Sequence, residues 1–391
     1  MTIDLARARA DTPGTEAVLH FNNAGMALTP RPVIDAVKEH LDLEARIGGY
    51  EAADRAEPAV ERVYDATAEL IGAKREEIAI VENATRAWDM AFYAMAFKPG
   101  DRILTAVSEY ASNYIAFLQV ARRTGAVVET VPNDAKGQLD VAALERMLDG
   151  RVKLIAMTHV PTNGGLVNPA EAVGRVARAA GIPYLLDACQ SVGQLPVDVG
   201  RIGCDMLSAT GRKYLRGPRG TGFLFVRSDF IDRLEPPFLD LHAAKWTAPN
   251  RYELRTDARR FENWECNVAA KIGLGVAIDY ALGWGMAAIG ERVATLAQDL
   301  RDRLGAIRGV VLRDLGETTC GIVTFTKEGM APTAIKEALA GQHVNVTTSS
   351  RHSTMLDMTQ RQLDMVVRAS VHYYNSENEV DRFARAIAAL A

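Results

Sequence analysis

Nothing in these 391 residues is concentrated enough to mark a special class. Charge is balanced: 45 Lys and Arg against 49 Asp and Glu leave a formal net charge of −4. No basic balance argues for nucleic acid, and no run of like charge forms a tail. Cysteine is scarce. Cys189, Cys204, Cys266 and Cys320 are widely spaced, and seven histidines show no ligand spacing, so no metal site is expected. Cysteines this sparse suit a reducing, cytoplasmic setting. The opening MTIDLARARADTPGTE is charged and lacks the apolar core of a secretory signal. Every long apolar run is broken by charge or glycine before membrane-spanning length. There is no repeat, no low-complexity tract and no P-loop. Gly273-Leu-Gly275 resembles part of a dinucleotide fingerprint, but it lies inside a helical pattern with no strand before it. What remains is 48% hydrophobic and 24% charged, the composition of a soluble globular chain, with length for two domains.

The chain then alternates. Apolar runs at Ile78-Val81, Ile103-Val107, Val127-Val131, Leu154-Thr158, Tyr184-Leu186, Met206-Ser208 and Gly222-Val226 read as strands. Amphipathic stretches from Thr85 to Phe97, Tyr114 to Arg123, Val141 to Met147 and Ala170 to Ala180 read as the helices between them. Strands alternating with helices predict a mostly parallel seven-stranded sheet covered on both faces. The close spacing of the last two runs allows one antiparallel pair. Residues 235–265, with Pro236-Pro237, Pro249 and two tryptophans, read as a long loop or interface segment. A helix over Val268–Leu282 leads into an α+β unit. It holds a helix near Val293-Leu304, strands near Val310-Leu315 and Gly321-Thr326, a helix at Pro332-Ala340, strands at His343-Thr347 and Val366-Tyr374, and a last helix from Glu377. The expected division is a large domain over 30–265 and a small one made of 1–29 and 266–391, joined by a short N-terminal strand at Val18-Phe21.

In open α/β sheets ligands bind beyond the carboxyl ends of the strands. Thr85, Tyr110, Asn163, Asp187 and Lys213 all fall at or just after such ends. A lysine there is ordinarily a snorkelling surface side chain. Lys213 has unusual neighbours: hydroxyls at Ser208 and Thr210, the guanidinium of Arg212, and Gly217, Gly220 and Gly222 that let backbone approach closely. A lysine amine in a dry, cationic pocket gives up its proton readily and can bond an aldehyde carbon. Asp187, ordinarily a turn or cap residue, is placed to hold a ring nitrogen protonated. Gln190 could bond a ring oxygen, and Cys189 packs nearby as a small apolar residue. His352 reads as a solvated loop histidine ahead of a loop acid or base, and Glu82 and Arg86 read equally as a solvated helix start or as flanks of an anion-binding turn.

These residues carry a resemblance. Asp187-Ala-Cys-Gln190, a hydroxyl-rich stretch ending in Arg212-Lys213, and Gly217-Pro-Arg-Gly220 resemble the class V aminotransferases of PLP fold type I, which include the cysteine desulfurases and cysteine C–S lyases. The resemblance spans nearly the whole chain. It implies pyridoxal 5'-phosphate (PLP) as cofactor, Lys213 as its covalent anchor and Asp187 as the acid at the pyridine nitrogen. Glu82-Asn-Ala84-Thr85 resembles the phosphate loop at a helix start. Tyr110 falls where the family stacks an aromatic ring, and Asn163 lies in the segment whose amide meets the cofactor. Gln190, Thr210 and Arg212 complete the implied cofactor set. Arg368, in Val367-Arg-Ala-Ser370, resembles the arginine that pairs with a substrate carboxylate, with Asn23 of Phe21-Asn-Asn-Ala-Gly25 as helper. Arg260-Phe-Glu262 resembles the segment that crosses a dimer interface. The implied partners are a small amino-acid substrate and a second copy of the chain, with the site at the interface, and neither nucleic acid nor membrane.

One departure bears on the reaction. Desulfurases carry a nucleophilic cysteine in a mobile loop, and here that loop reads Val346-Thr-Thr-Ser-Ser-Arg-His-Ser-Thr-Met355. Gly48-Gly-Tyr50, Val160-Pro-Thr-Asn-Gly-Gly165 and Arg368-Ala-Ser-Val-His-Tyr-Tyr374 resemble a branch that includes hercynylcysteine sulfoxide lyases. The expected reaction is cleavage of a Cβ–S bond, giving pyruvate, ammonia and a thiol or related sulfur product. The alternatives are epimerisation or racemisation, transamination, and a non-catalytic scaffold of the same fold.

Overall fold

The computed structural model describes residues 3–390. Its strands, in chain order, are β1 (Leu19–His20), β2 (Ile78–Val81), β3 (Arg102–Ala106), β4 (Val127–Val131), β5 (Val152–Thr158), β6 (Tyr184–Asp187), β7 (Met206–Thr210), β8 (Gly222–Val226), β9 (Ala244–Ala248), β10 (Arg251–Leu254), β11 (Val310–Leu312), β12 (Ile322–Lys327), β13 (Val344–Asn345), β14 (Thr347–Ser350) and β15 (Met365–Ser370).

Seven of them form one mixed sheet in the order β2-β8-β7-β6-β5-β3-β4. Only β8 runs against its neighbours, and it does so on both sides, so two pairs are antiparallel where the spacing allowed one. Strands β3, β6, β7 and β8 are buried along their whole length. Successive side chains point to opposite faces, so an uninterrupted apolar run requires cover on both sides. The two faces are separate cores. Leu104, Ile155, Leu186 and Leu207 pack on one, with the helices Glu57–Ile71 and Ala170–Ala180. Ile103, Leu154, Leu185 and Met206 pack on the other, with Trp88 and Phe92 of the helix Ala84–Phe92 and Phe117 of the helix Ala111–Thr124.

A four-stranded antiparallel sheet, β11-β12-β15-β14, carries the second unit. The N-terminal β1 pairs in parallel with β13. The stretch expected as one strand at 343–347 is two: β13 bonds to β1, and β14 to β15. The helix Val268–Trp284 packs on the helices Arg31–Ile47 and Glu57–Ile71. Its Leu274 and Ile278 join the core of the large sheet, while Ala281 and Trp284 join that of the small one. The next helix, Met286–Gly305, departs at 79° from Gly285, whose φ of +84° suits glycine. Among the described residues no single helix is long and apolar enough to cross a membrane.

Two other expectations change. The helix expected over 85–97 ends at Phe92, short of Lys98-Pro99-Gly100, which turns the chain into β3. The segment 235–265 is not all loop: β9 and β10 form an antiparallel hairpin with Tyr252 opposite Trp246. Cross-strand aromatic pairs stabilise such ribbons, but here both rings are largely exposed, so no buried face betrays the strands in the sequence.

Candidate active site

Because β2, β3, β5, β6 and β7 all point the same way, their carboxyl ends share one edge of the sheet. A cavity of about 430 Å³ opens there, lined by Asn83, Ala84, Thr85, Tyr110, Asn113, Asp187, Cys189, Thr210, Arg212 and Lys213. The structure thus brings Ala84, Thr85, Tyr110, Asp187, Thr210, Arg212 and Lys213 together around one cavity.

Each is positioned by a local device. Asn83 caps the helix Ala84–Phe92, its side chain accepting from Arg86 N at 2.9 Å. The N–H groups that open a helix have no intrahelical partner, and with the helix dipole they favour an anion. Gly222 of β8 keeps this turn close. A Cβ there would lie 2.6 Å from the Ala209 carbonyl oxygen and 2.8 Å from the Asn83 carbonyl carbon. Asp187 ends β6 with its carboxylate engaged on both oxygens, by Cys189 N at 2.8 Å and Asn113 Nδ2 at 3.0 Å. Burial raises its carboxyl above the usual range, against those hydrogen bonds and the charge of Lys213. The Cys189 thiol is likewise pushed up by burial, with Lys213 pulling the other way. Thr210 Oγ1 donates to the Thr221 carbonyl at 3.2 Å, and Arg212 donates to the Gly25 carbonyl.

Arg368 stands on β15, within electrostatic reach of Tyr214, Arg212 and Tyr110. It is 8% exposed. Its guanidinium donates only to the Thr162 carbonyl, at 3.1 Å, and the Thr162 hydroxyl, leaving Nε without a partner. Among the described residues no carboxylate pairs with it. Burial depresses it from the usual guanidinium range to about 10, since a charge removed from water without a counter-ion is costly.

Three expected residues are engaged elsewhere. Asn163 does not line the cavity; its Nδ2 donates to Asp357 at 2.7 Å, a carboxylate also held by Arg361 at 3.1 Å. Asn23 is fully buried. Its amide nitrogen donates to the Ser370 carbonyl at 2.7 Å and its oxygen accepts from Tyr374, so it holds the N-terminal turn against β15 instead of facing a ligand. Gln190 donates to the Ala24 carbonyl at 3.1 Å, while its Oε1 is buried and unpartnered. The segment at Arg260 and Glu262 turns inward: Arg260 bonds the Arg255 carbonyl and Asp232, and Glu262 bonds Ile80 N and Tyr64.

The residues missed from sequence are Asn113 and Glu109. Glu109 lies behind Asp187, 3% exposed, and Asn113 bridges the two carboxylates. Their signal was weak: a Ser-Glu-Tyr-Ala-Ser-Asn stretch at a helix start ordinarily reads as solvated capping.

The site suits a phosphorylated pyridine aldehyde. Donors and a guanidinium for an anion, an acid at a strand end and an amine line one cavity. Comparison with known proteins agrees. The family model described as aminotransferase class-V matches residues 19–383. A probable cysteine desulfurase of Pyrococcus abyssi is 30% identical over 382 residues, covering 96% of this chain and 94% of that one. The apo structure of cysteine desulfurase from Thermococcus onnurineus superposes with a TM-score of 0.92 at 29% identity, covering 99% and 98% of the two chains. The cystine C-S lyase C-DES, solved with its product cysteine persulfide, shares the fold at a TM-score of 0.88 and 22% identity over 97% and 99%.

Proposed function

The chain belongs to the aminotransferase class-V family, and within it we propose a carbon–sulfur lyase that cleaves the Cβ–S bond of a cysteine-type amino acid to pyruvate, ammonia and a thiol or related sulfur product. The enzyme is PLP-dependent. The observation that carries the lyase reading is the thiol-free span of β14 and the turn Arg351–Ser353, beside a cavity that keeps amine, acid and guanidinium. Of the four cysteines only Cys189 lines that cavity, and burial holds its thiol in the protonated, poorly nucleophilic form.

When bound, the cofactor supplies an aldehyde carbon for the substrate amine and a conjugated ring that takes up the electron pair left when Cα–H breaks. The chain's own residues do the rest. The N–H groups of Ala84 and Thr85, with Thr210 and Arg212, would hold the phosphate. Tyr110 would offer its ring to the cofactor, and Asp187 would keep the ring nitrogen protonated. Lys213 Nζ would be the anchoring amine and, once free, the base for the proton on Cα. Arg368 would fix the α-carboxylate and so present the Cα–H bond to Lys213. Such orientation supplies several orders of magnitude in rate. The sulfur substituent on Cβ would then depart with its bonding pair and take up a proton, and one water would hydrolyse the unsaturated amino acid left behind to pyruvate and ammonia.

A second copy of the chain fits against the segment bearing Phe238, Leu241, Trp246, Tyr252 and Trp264, all more than half exposed or nearly so. Phe238 stacks on Arg86 at 4.9 Å, which ties this face to the phosphate helix. The deciding experiment incubates holoenzyme with a panel of cysteine conjugates and assays pyruvate and free thiol. Stoichiometric release supports the lyase. Solvent deuterium at Cα without breakdown marks an epimerase, and a protein-bound persulfide marks a desulfurase; either refutes it.

A further inference from the structure

Behind the acid that ends β6 lies a second carboxylate to which the reaction above gives no task. Glu109 Oε1 accepts from Asn113 Nδ2 at 2.8 Å, Tyr110 N at 3.0 Å and the Thr158 hydroxyl, and Oε2 accepts from Thr105 Oγ1 at 2.9 Å and Thr158 N at 3.0 Å. Three of these five are obligate N–H donors, an arrangement suited to an ionised, acceptor-only carboxylate. The same Asn113 nitrogen spends its other hydrogen on Asp187 Oδ2 at 3.0 Å. Two buried carboxylates thus share one amide.

We propose that Glu109 is a positioning residue for the cofactor's ring nitrogen: through Asn113 it fixes the orientation of Asp187 and sets a second negative charge behind it. This rests on the PLP reading of the cavity. Every group that hydrogen-bonds Glu109 is neutral. From β6, Tyr184 and Asp187 face it electrostatically; β3, β5 and the helix Ala111–Thr124 with its cap contribute Thr105, Thr158, Asn113 and the Tyr110 backbone. His159, next along from Thr158, is held neutral by burial, down to about 4. No cation is bonded to the pair; Lys213 acts on Asp187 only through space. Burial first, then the Asp187 charge, pushes the Glu109 carboxyl up to about 7 against its hydrogen bonds. A protonated ring nitrogen is the positive charge such a pair favours, and the pair in turn raises that nitrogen's affinity for its proton.

The test uses holoenzyme loaded with ¹⁵N-labelled PLP, following the ring-nitrogen resonance against pH in wild type, Glu109→Gln and Thr105→Val. Thr105→Val removes one donor from Glu109 but leaves the amide bridge. Glu109→Gln is expected to lower the ring-nitrogen pKa by about one unit or more, with Thr105→Val unchanged. If Glu109→Gln does not fold, Asn113→Leu, which severs the bridge, must show the same fall. An unmoved resonance in the folded bridge variant overturns the proposal, and so does an equal fall in Thr105→Val, which marks a merely structural role. A wild-type chain that takes up no PLP overturns the functional reading beneath it, a distinct failure visible before any variant is made.

Discussion

Replacing Arg368 with methionine separates what this residue does for the substrate from what it does to the fold. Its guanidinium is buried without a carboxylate among the described residues, and burial lowers it from the usual guanidinium range to about 10. That depression is a charging cost of about 3 kcal/mol. Its sign is definite. The group is protonated less readily in the folded chain than in the unfolded one, so the cost is fully present below about pH 10 and fades only as pH rises through that value. At neutral pH the charged arginine therefore works against folding. Its hydrogen bonds to the Thr162 carbonyl and hydroxyl return about 1 kcal/mol each. Methionine preserves most of the packing on β15 between Thr324 and Thr347 and removes the charge. Urea unfolding of cofactor-free protein should then show Arg368→Met as stable as wild type, or more stable by about 1 kcal/mol. Spectral titration of the holoenzyme with an amino acid should show affinity falling on the order of a hundredfold, the worth of a charge-assisted pair. A methionine variant that loses 2 kcal/mol or more yet binds amino acids unchanged would refute the reasoning, because it would make Arg368 a structural residue.

Lys213→Ala should abolish both the lysine-linked cofactor absorbance and product release; a variant with wild-type turnover counts decisively against the anchor. Gly222→Ala forces a Cβ against backbone of Ala209 and Asn83, and should cost about 1–3 kcal/mol and weaken PLP binding, read by denaturation and by cofactor titration; unchanged affinity would separate the strand from the phosphate turn. In cofactor-free protein the Glu109 carboxyl, at about 7 instead of 4.5, contributes stability that is complete below pH 4.5 and lost as pH rises through 7. The loss is about 3 kcal/mol. Glu109→Gln should flatten that decline in a pH series of unfolding curves, and an unaltered slope would contradict it.

The large sheet was legible because its strands are buried on both faces, and burial writes itself as unbroken apolar runs such as Met206-Leu207. The helix Val141–Met147 was legible because Asp140 caps it and Met147 closes its stripe. The hairpin of Trp246 and Tyr252 was not, since an exposed ribbon imposes no such pattern. Within the site, strand ends and motif order placed Asp187, Thr210, Arg212 and Lys213 at one cavity. The amides were harder. Residue type shows that Asn163, Gln190 and Asn23 can bond, but not to what. The partner of Asn163 lies 194 residues away and that of Asn23 347 away. Glu109 escaped notice for the converse reason: an acid at a helix start is ordinarily solvated, and only the packed structure removes the water.

The bonding of the N-terminal segment to β13 and to the end of β15 also governs how the molecule comes into being. Phe21 cannot find Ser370 until 349 further residues exist, which at ribosomal speed is roughly 20–70 s. By then β2 to β8 have long been complete. The residues that line the cofactor cavity, 83–213, are therefore all synthesised before the last strand against which the N-terminal segment bonds. Arg368, on the last strand, arrives at the end.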